Sequence, residues 1–292
     1  DIAIKGPAAV THQRVADHYH SYSPVAVNIL NDSPAAYWRL GEQSGTTAFN
    51  SADVTMHNGS YIGGVAIRQD TGSALTGDPD TYADFDGSND YISAPFSAAL
   101  NPVSFSLEAL ARVEGGQGGF RALISSRDGN AADRKGFIIY AGSDNNWQFW
   151  TGNGSNQWDV VTGDAVTLDE WVHITATFDA TGPANGDGAF PGVKTLFIDG
   201  VAVASANGLY EPNNVFDLRI GAGANESPAT FFFNGDIDEV AIHSRALTAD
   251  EVLERYNVIQ TGVLPTPPIP EPASMTLVGL GGLAVLRRRR HA

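Results

Sequence analysis

The chain of 292 residues carries 17 basic and 33 acidic residues, a net charge of −16, and no cysteine. That balance excludes nucleic acid and anionic membrane surfaces as partners, and it removes disulfides, thiolate metal sites and a cysteine nucleophile. The length suits one large domain with its own core.

The chain begins at Asp1 without Met or an apolar leader, which implies a signal peptide removed or lying outside this numbering. Residues 1–34 mix His, Ala, Pro and Ser without a sustained period and read as an irregular extension. The apolar patch Val25 to Leu30 fits either a short helix or an added strand. His12, His18 and His20 read as solvated rather than as metal ligands.

From Ala35 onward, short alternating segments bounded by Gly, Asp and Asn recur, the pattern of an antiparallel sandwich. Strands are expected at Tyr82–Phe85, Tyr91–Ala94, Ser104–Ala109, Ala122–Ser125, Phe137–Ala141, Asn146–Thr151, Trp158–Val161, Trp171–Phe178, Phe216–Gly221 and Phe231–His243. In Phe105-Ser106-Leu107-Glu108-Ala109 and Trp171-Val172-His173-Ile174 the alternation predicts one buried face, with Ser106, Glu108 and His173 in water. Asp199-Gly200, between two apolar runs, predicts a type I′ hairpin. Thr248-Ala249-Asp250-Glu251 is a capping box, and Val252, Leu253 and Tyr256 continue it as the one helix of the body. The prolines of Leu264 to Pro268 make 258–269 a stiff extended linker.

The end of the chain has three parts: Pro270-Glu271-Pro272, an uncharged run from Ala273 to Leu286, and Arg287, Arg288, Arg289 and Arg290. Fourteen helical residues cover about 21 Å, short of the ~30 Å hydrocarbon core, so the run is a hydrophobic plug with a cationic stop. By the positive-inside rule the arginines stay cytoplasmic and residues 1–269 lie on the far side. This tripartite tail, 270–292, resembles the PEP-CTERM sorting signal of Gram-negative bacteria. The resemblance implies processing by an exosortase after transient inner-membrane anchoring, with the protein delivered to the cell surface or extracellular matrix.

The body, 35–257, resembles the laminin-G-like, concanavalin A-like jelly roll. The segments that carry this are Ala36-Tyr37-Trp38-Arg39-Leu40-Gly41-Glu42, Phe85 to Tyr91, Phe105 to Ala109, Glu170 to His173, Leu196 to Val201 and Phe233 to Val240. The resemblance implies an all-β sandwich of two antiparallel sheets, plus a short C-terminal hydrophobic helix from the tail, and a binding or adhesive role.

Glycosidases on this fold place three carboxylates on one strand face. The nearest approach is Asp236-x-Asp238, which lacks the third, and Glu108 and Glu170 read as exposed carboxylates on wet strands. No nucleophile elbow is present. A non-enzyme is expected. Tyr140, Trp147, Trp150 and Trp158 are the candidate sugar platform, with Asn145, Asn146, Gln148, Asn153, Asn156 and Gln157 as polar partners. Trp147 and Trp150 have opposite parity, so one of them belongs to the core. Carbohydrate or matrix binding is the leading reading, with a pocketless biofilm-matrix protein as the alternative and a glycoside hydrolase behind both. The loop Asp86-Gly87-Ser88-Asn89-Asp90 fits a structural calcium ion or an Asx-type turn equally well. The resemblance brings Asp238 beside that loop as a further ligand.

Overall fold

The computed structural model describes residues 23–69, 75, 81–130, 132–223, 225 and 228–265. The tail with its sorting signal and the three N-terminal histidines lie outside the described residues.

Two eight-stranded antiparallel sheets face each other. The first runs β14 (Val201–Tyr210), β13 (Phe190–Ile198), β12 (Trp171–Ala180), β7 (Phe105–Val113), β16 (Asn234–His243), β5 (Tyr82–Asp86) and β4 (Ala66–Gln69), with β1 (Ala36–Trp38) also paired to β16. The second runs β11 (Trp158–Ala165), β10 (Asn146–Gly152), β9 (Lys135–Ala141), β8 (Arg121–Asp128), β15 (Leu218–Ile220), β6 (Tyr91–Ala94), β3 (Gly59–Ile62) and β2 (Thr47–Ala48). The alternating apolar residues of both sheets meet between them. Phe105 sits at the middle of this layer, its ring centroid 4.9 Å from Tyr210, 5.0 Å from Phe137 and 5.9 Å from Phe178. The Asp199-Gly200 hairpin forms as expected, with φ of 50° and 81° at its two central residues.

The expected strand over Phe231–His243 starts only at Asn234, because Phe231 takes a φ of 59° and turns the chain. Helix α1 (Pro24–Asn31) forms where the sequence left helix and strand open, capped by the Ser23 hydroxyl and started by proline at its first turn. Helix α2 (Ala249–Thr261) has the expected capping box. It runs past residue 257 to a left-handed Gly262. Val25, Ala26 and Ile29 of α1 and Val258 and Ile259 of α2 pack with Tyr37, Leu110 and Ala241 on the outer face of the first sheet.

That cover corrects the reading of β7 and β12 as half-wet strands. Glu108 and His173 are 2% and 3% exposed. A charge so buried requires a partner, and Arg255 of α2 supplies it through Nη1 to Glu108 Oε1. His243 Nε2 lies 2.6 Å from the same oxygen and His173 Nε2 3.6 Å from Oε2. Burial alone would raise the Glu108 pKa, but Arg255 and His243 overcome it and hold the carboxyl well below its ordinary value. Arg255 also bonds Asn28 and Asp32, and Arg245 bridges Asp32 to Glu251, so the network binds both helices to the sheet. Glu239 lies at a bulge of β16 with φ of 53° and accepts from Tyr37 Oη and Arg39 Nε. Burial raises its pKa well above the ordinary value, although Arg255 opposes the shift.

A second buried charge sits between the sheets. Lys194 is 1% exposed and donates to the Asp159 carbonyl at 2.6 Å and Thr151 Oγ1 at 3.1 Å. Its ammonium lies 4.6 Å from the centre of the Phe149 ring. Burial pulls its pKa from 10.5 down to about 7, with Asp159 opposing. A lysine whose pKa is lower when folded destabilises the fold below pH 7, and this cost fades as pH rises to 10.5. Lys194→Met is therefore expected to raise the melting temperature at pH 7. Melting followed across the pH range is expected to show that gain shrinking toward pH 10.5.

Candidate functional site

With helices over part of the outer face of the first sheet, a group of five aromatic side chains gathers on the outer face of the second. Tyr140 of β9 and Trp150 of β10 point outward, flanked by Trp158 of β11 and by Phe120 and Phe231 from loops. Trp150 lies 5.6 Å from both Tyr140 and Phe120 and 6.3 Å from Trp158, and Phe120 lies 5.8 Å from Phe231. The edge-to-face angles of 79–86° among Phe120, Tyr140, Trp150 and Phe231 match the ring quadrupoles.

The members differ in access. Trp147 points the other way and is 1% exposed in the core, so it cannot touch a ligand; the alternation of β10 forces this. Tyr140, 2% exposed, forms the floor beneath Phe120 and Phe231 rather than a contact surface. Trp150 and Trp158 are half-buried and Phe231 is 38% exposed. The Trp150 indole N–H donates to Gln148 Oε1 at 2.9 Å, and Gln148 Nε2 donates to Asp144 at 2.9 Å, which fixes the ring. The guanidinium groups of Arg134 and Arg127 lie 5.5 and 5.7 Å from the centre of the Trp158 ring. Asn156 and Gln157 stay exposed beside it.

The other expected polar partners are spent on the scaffold. Asn145 Oδ1 accepts from Gly118 N and Arg121, Asn146 Nδ2 donates to the Asp144 carbonyl, and Asn153 Oδ1 closes a turn onto Ser155. Phe120, Phe231, Arg127 and Arg134 were missed from sequence. Phe120 and Phe231 reach the shelf from turns, which leave no alternating pattern.

The carboxylates do not assemble as a catalytic pair on one strand. Asp236 is held by Arg112 Nε at 2.5 Å, and burial pushes its pKa up to about 7 against that guanidinium. Asp238 accepts from the Glu239 amide on the same strand. Glu170 is exposed while Glu108 is buried four strand positions beyond Arg112, the partner of Trp171, so the two do not meet.

The calcium loop is drawn differently from the expectation. Asp86 pairs with Asn234 across β5 and β16, which leaves Asp238 four residues further along the strand, about 13 Å away. Asp238 is thus removed from the ligand set. Asp86 Oδ1 accepts from the amides of Ser88 and Asn89, Asp90 Oδ2 from the Asp86 amide, and Asn89 Nδ2 donates to the Gly63 carbonyl. Among the described residues no three His, Asp or Glu side chains are placed to hold a metal. The turn occupies Asp86, Asn89 and one oxygen of Asp90, while Asp90 Oδ1 is buried without a hydrogen-bond partner. Melting curves in calcium and in chelator are expected to coincide; a rise with calcium that Asp90→Asn abolishes would restore the ion.

Comparison with known proteins agrees with this architecture. No curated protein matches the chain significantly. A receptor-binding domain of botulinum neurotoxin type G superposes with a TM-score of 0.51 at 13% identity, covering 77% of this chain and 51% of its own. Trypanosoma rangeli sialidase in complex with sialic acid gives 0.55 at 11% identity, covering 77% and 33%. Domain 4 of AbnA, an extracellular arabinanase of Geobacillus stearothermophilus, in complex with arabinotriose gives 0.50 at 19% identity, covering 76% and 98%. The chain thus spans about half of the neurotoxin domain and a third of the sialidase. At these identities the likeness is one of fold. The PEP-CTERM protein-sorting motif matches residues 268–290. Residues 86–253, more than half of the sequence, match the concanavalin A-like lectin/glucanases superfamily, and the chain belongs to that family.

Proposed function

We propose that this protein is an exported, surface-sorted binding module that holds polysaccharide or extracellular matrix on the aromatic shelf. The observation that carries the reading is the half-exposed group Trp150, Trp158, Phe120 and Phe231 on the open sheet face, with Trp150 fixed by Gln148. A sugar ring packs its apolar face on an aromatic ring while its hydroxyls need donors and acceptors at the rim. Asn156, Gln157 and Arg134 stand at that rim. The arabinotriose complex of the AbnA domain supports the reading by fold analogy.

The sorting motif supports passage through the exosortase pathway of a Gram-negative bacterium, to the cell surface or matrix. A glycan array probes the ligand. One glycan class should bind, and Trp158→Ala and Phe231→Ala should each weaken it about tenfold, near 1.4 kcal/mol, with little change in melting temperature. Uniform silence on the array, or undiminished binding by both variants, would remove the shelf as the site. In the native host, replacing Pro270-Glu271-Pro272 with alanines should leave an uncleaved, membrane-retained form. A mature protein that keeps Arg287 to Arg290 and ignores that change would overturn the sorting reading.

A further inference from the structure

Charge is divided unevenly between the two sheets. In the first, β5, β7, β12 and β16 all carry Asp or Glu. In the second, β2, β3, β6, β9, β10 and β15 carry none, and β8 has only Asp128, at its last position. Aspartates return at the edge strand β11. In a chain with 33 acidic and 17 basic residues, the strands beneath the aromatic shelf are thus almost free of carboxylates.

Arginines stand on that face instead. Leu218 and Ile220 lie in the core, so Arg219 between them points outward, with its guanidinium 4.9 Å from the centre of the Tyr91 ring. Arg219 pairs with Ser125 of β8, and Arg127, two positions further along, shares the face. The Arg127 guanidinium lies 5.7 Å from the centre of the Trp158 ring and 5.8 Å from that of Phe231. Arg134 joins from the turn before β9, 5.5 Å from Trp158. Its Nε donates to the Asn156 carbonyl at 3.2 Å, and among the described residues no carboxylate pairs with it. By contrast Arg112, Lys135 and Arg245 each lie within 2.8 Å of a carboxylate. The acidic residues at the rim are turned to local donors: Asp144 accepts from Gln148, Asp217 from Ser93, and Asp133 pairs with Lys135.

From this arrangement we infer that the polymer held on the shelf is acidic, a uronate-bearing polysaccharide whose carboxylates are met by Arg134 and Arg127. The inference rests on the shelf reading and narrows its ligand. A uronate carries its carboxylate on the sugar ring itself, so one residue can lay its apolar face on Phe231 and set its carboxylate against the Arg127 beside that ring. A guanidinium offers a planar fork that matches a carboxylate in two parallel hydrogen bonds. Stacking on Trp158 keeps water from part of each guanidinium, which strengthens such a pair. The net charge of −16 opposes approach from afar, but salt screens exposed charges beyond roughly 8 Å, so at contact the polymer meets the local face. A neutral sugar would make no use of guanidinium groups gathered where carboxylates are sparse.

The test uses the full chain in mild detergent, which keeps its apolar tail from associating. Binding is measured to oligomers of galacturonate and of mannuronate, each beside its methyl ester, which keeps the sugar ring and removes the charge. At least one acid oligomer is expected to bind about tenfold more tightly than its ester, and the gap should shrink as salt is raised. Arg134→Gln should narrow that gap severalfold, while Arg134→Lys, which keeps the charge and loses the fork, should retain part of it. Equal binding of acid and ester, both weakened by Phe231→Ala, would overturn the inference and leave the shelf as the site. A preference for the acid that neither Arg134→Gln nor Arg127→Gln reduces would place the charge recognition elsewhere and overturn it too. If no uronate binds while a neutral glycan does, and Phe231→Ala weakens that neutral glycan, the shelf stands and the inference falls. Silence of all these oligomers and of the whole glycan array would remove the shelf itself, and the inference with it. The comparison of acid with ester uses the parent chain, so it stands even where an arginine variant fails to fold.

Discussion

The position of Arg255 against Glu108 determines how the rest of the molecule is presented. Each ion costs several kcal/mol to strip of water, and removing one partner of a buried pair costs about 3–5 kcal/mol. The pair is therefore tolerable only because α2 always delivers the guanidinium to the sheet. Since Arg255 also holds Asn28 and Asp32, the same side chain fixes α1. The outer face of the first sheet is closed by an electrostatic requirement, with apolar packing from Val25, Ile29, Val258 and Ile259 completing the seal.

Closing one face leaves the opposite face free of helices. There the aromatic rings are arranged as a floor, Tyr140, and a partly open tier above it. The ring contacts and the Gln148 bond hold the tier in place, so little side-chain entropy remains to be lost on binding.

Much of the fold was legible because alternation and turn chemistry are local. Asp199-Gly200 needed only its own two residues to specify a hairpin, and Thr248 with Glu251 needed only helical spacing. The parity of Trp147 and Trp150 placed one of them in the core before any coordinates. What failed was non-local. Glu108 and His173 follow a half-wet pattern, and nothing within β7 or β12 announces that α1 and α2 will cover them. The signal was in the helix: Arg255 lies three positions after Val252 and four before Ile259, on the buried face. Asp238 was misplaced because strand register fixes which residues oppose one another, and the sequence does not reveal it. Phe120 and Phe231 reach the shelf from turns, where periodicity has no meaning.

The place of β16 in the first sheet has a consequence for the timing of folding. This strand, Asn234–His243, lies between β5 and β7 and also carries β1, so three earlier strands wait for it. The contacts it completes span 135 residues from Glu108 to His243 and 202 from Tyr37 to Glu239. Such long-range closure is slow relative to local structure. While residues before 234 emerge, the first sheet has a missing centre and Glu108 has neither of its partners from the C-terminal side. The topology postpones closure of the first sheet until nearly the whole body is present, and the helix bearing Arg255 follows directly behind the strand that completes the sheet.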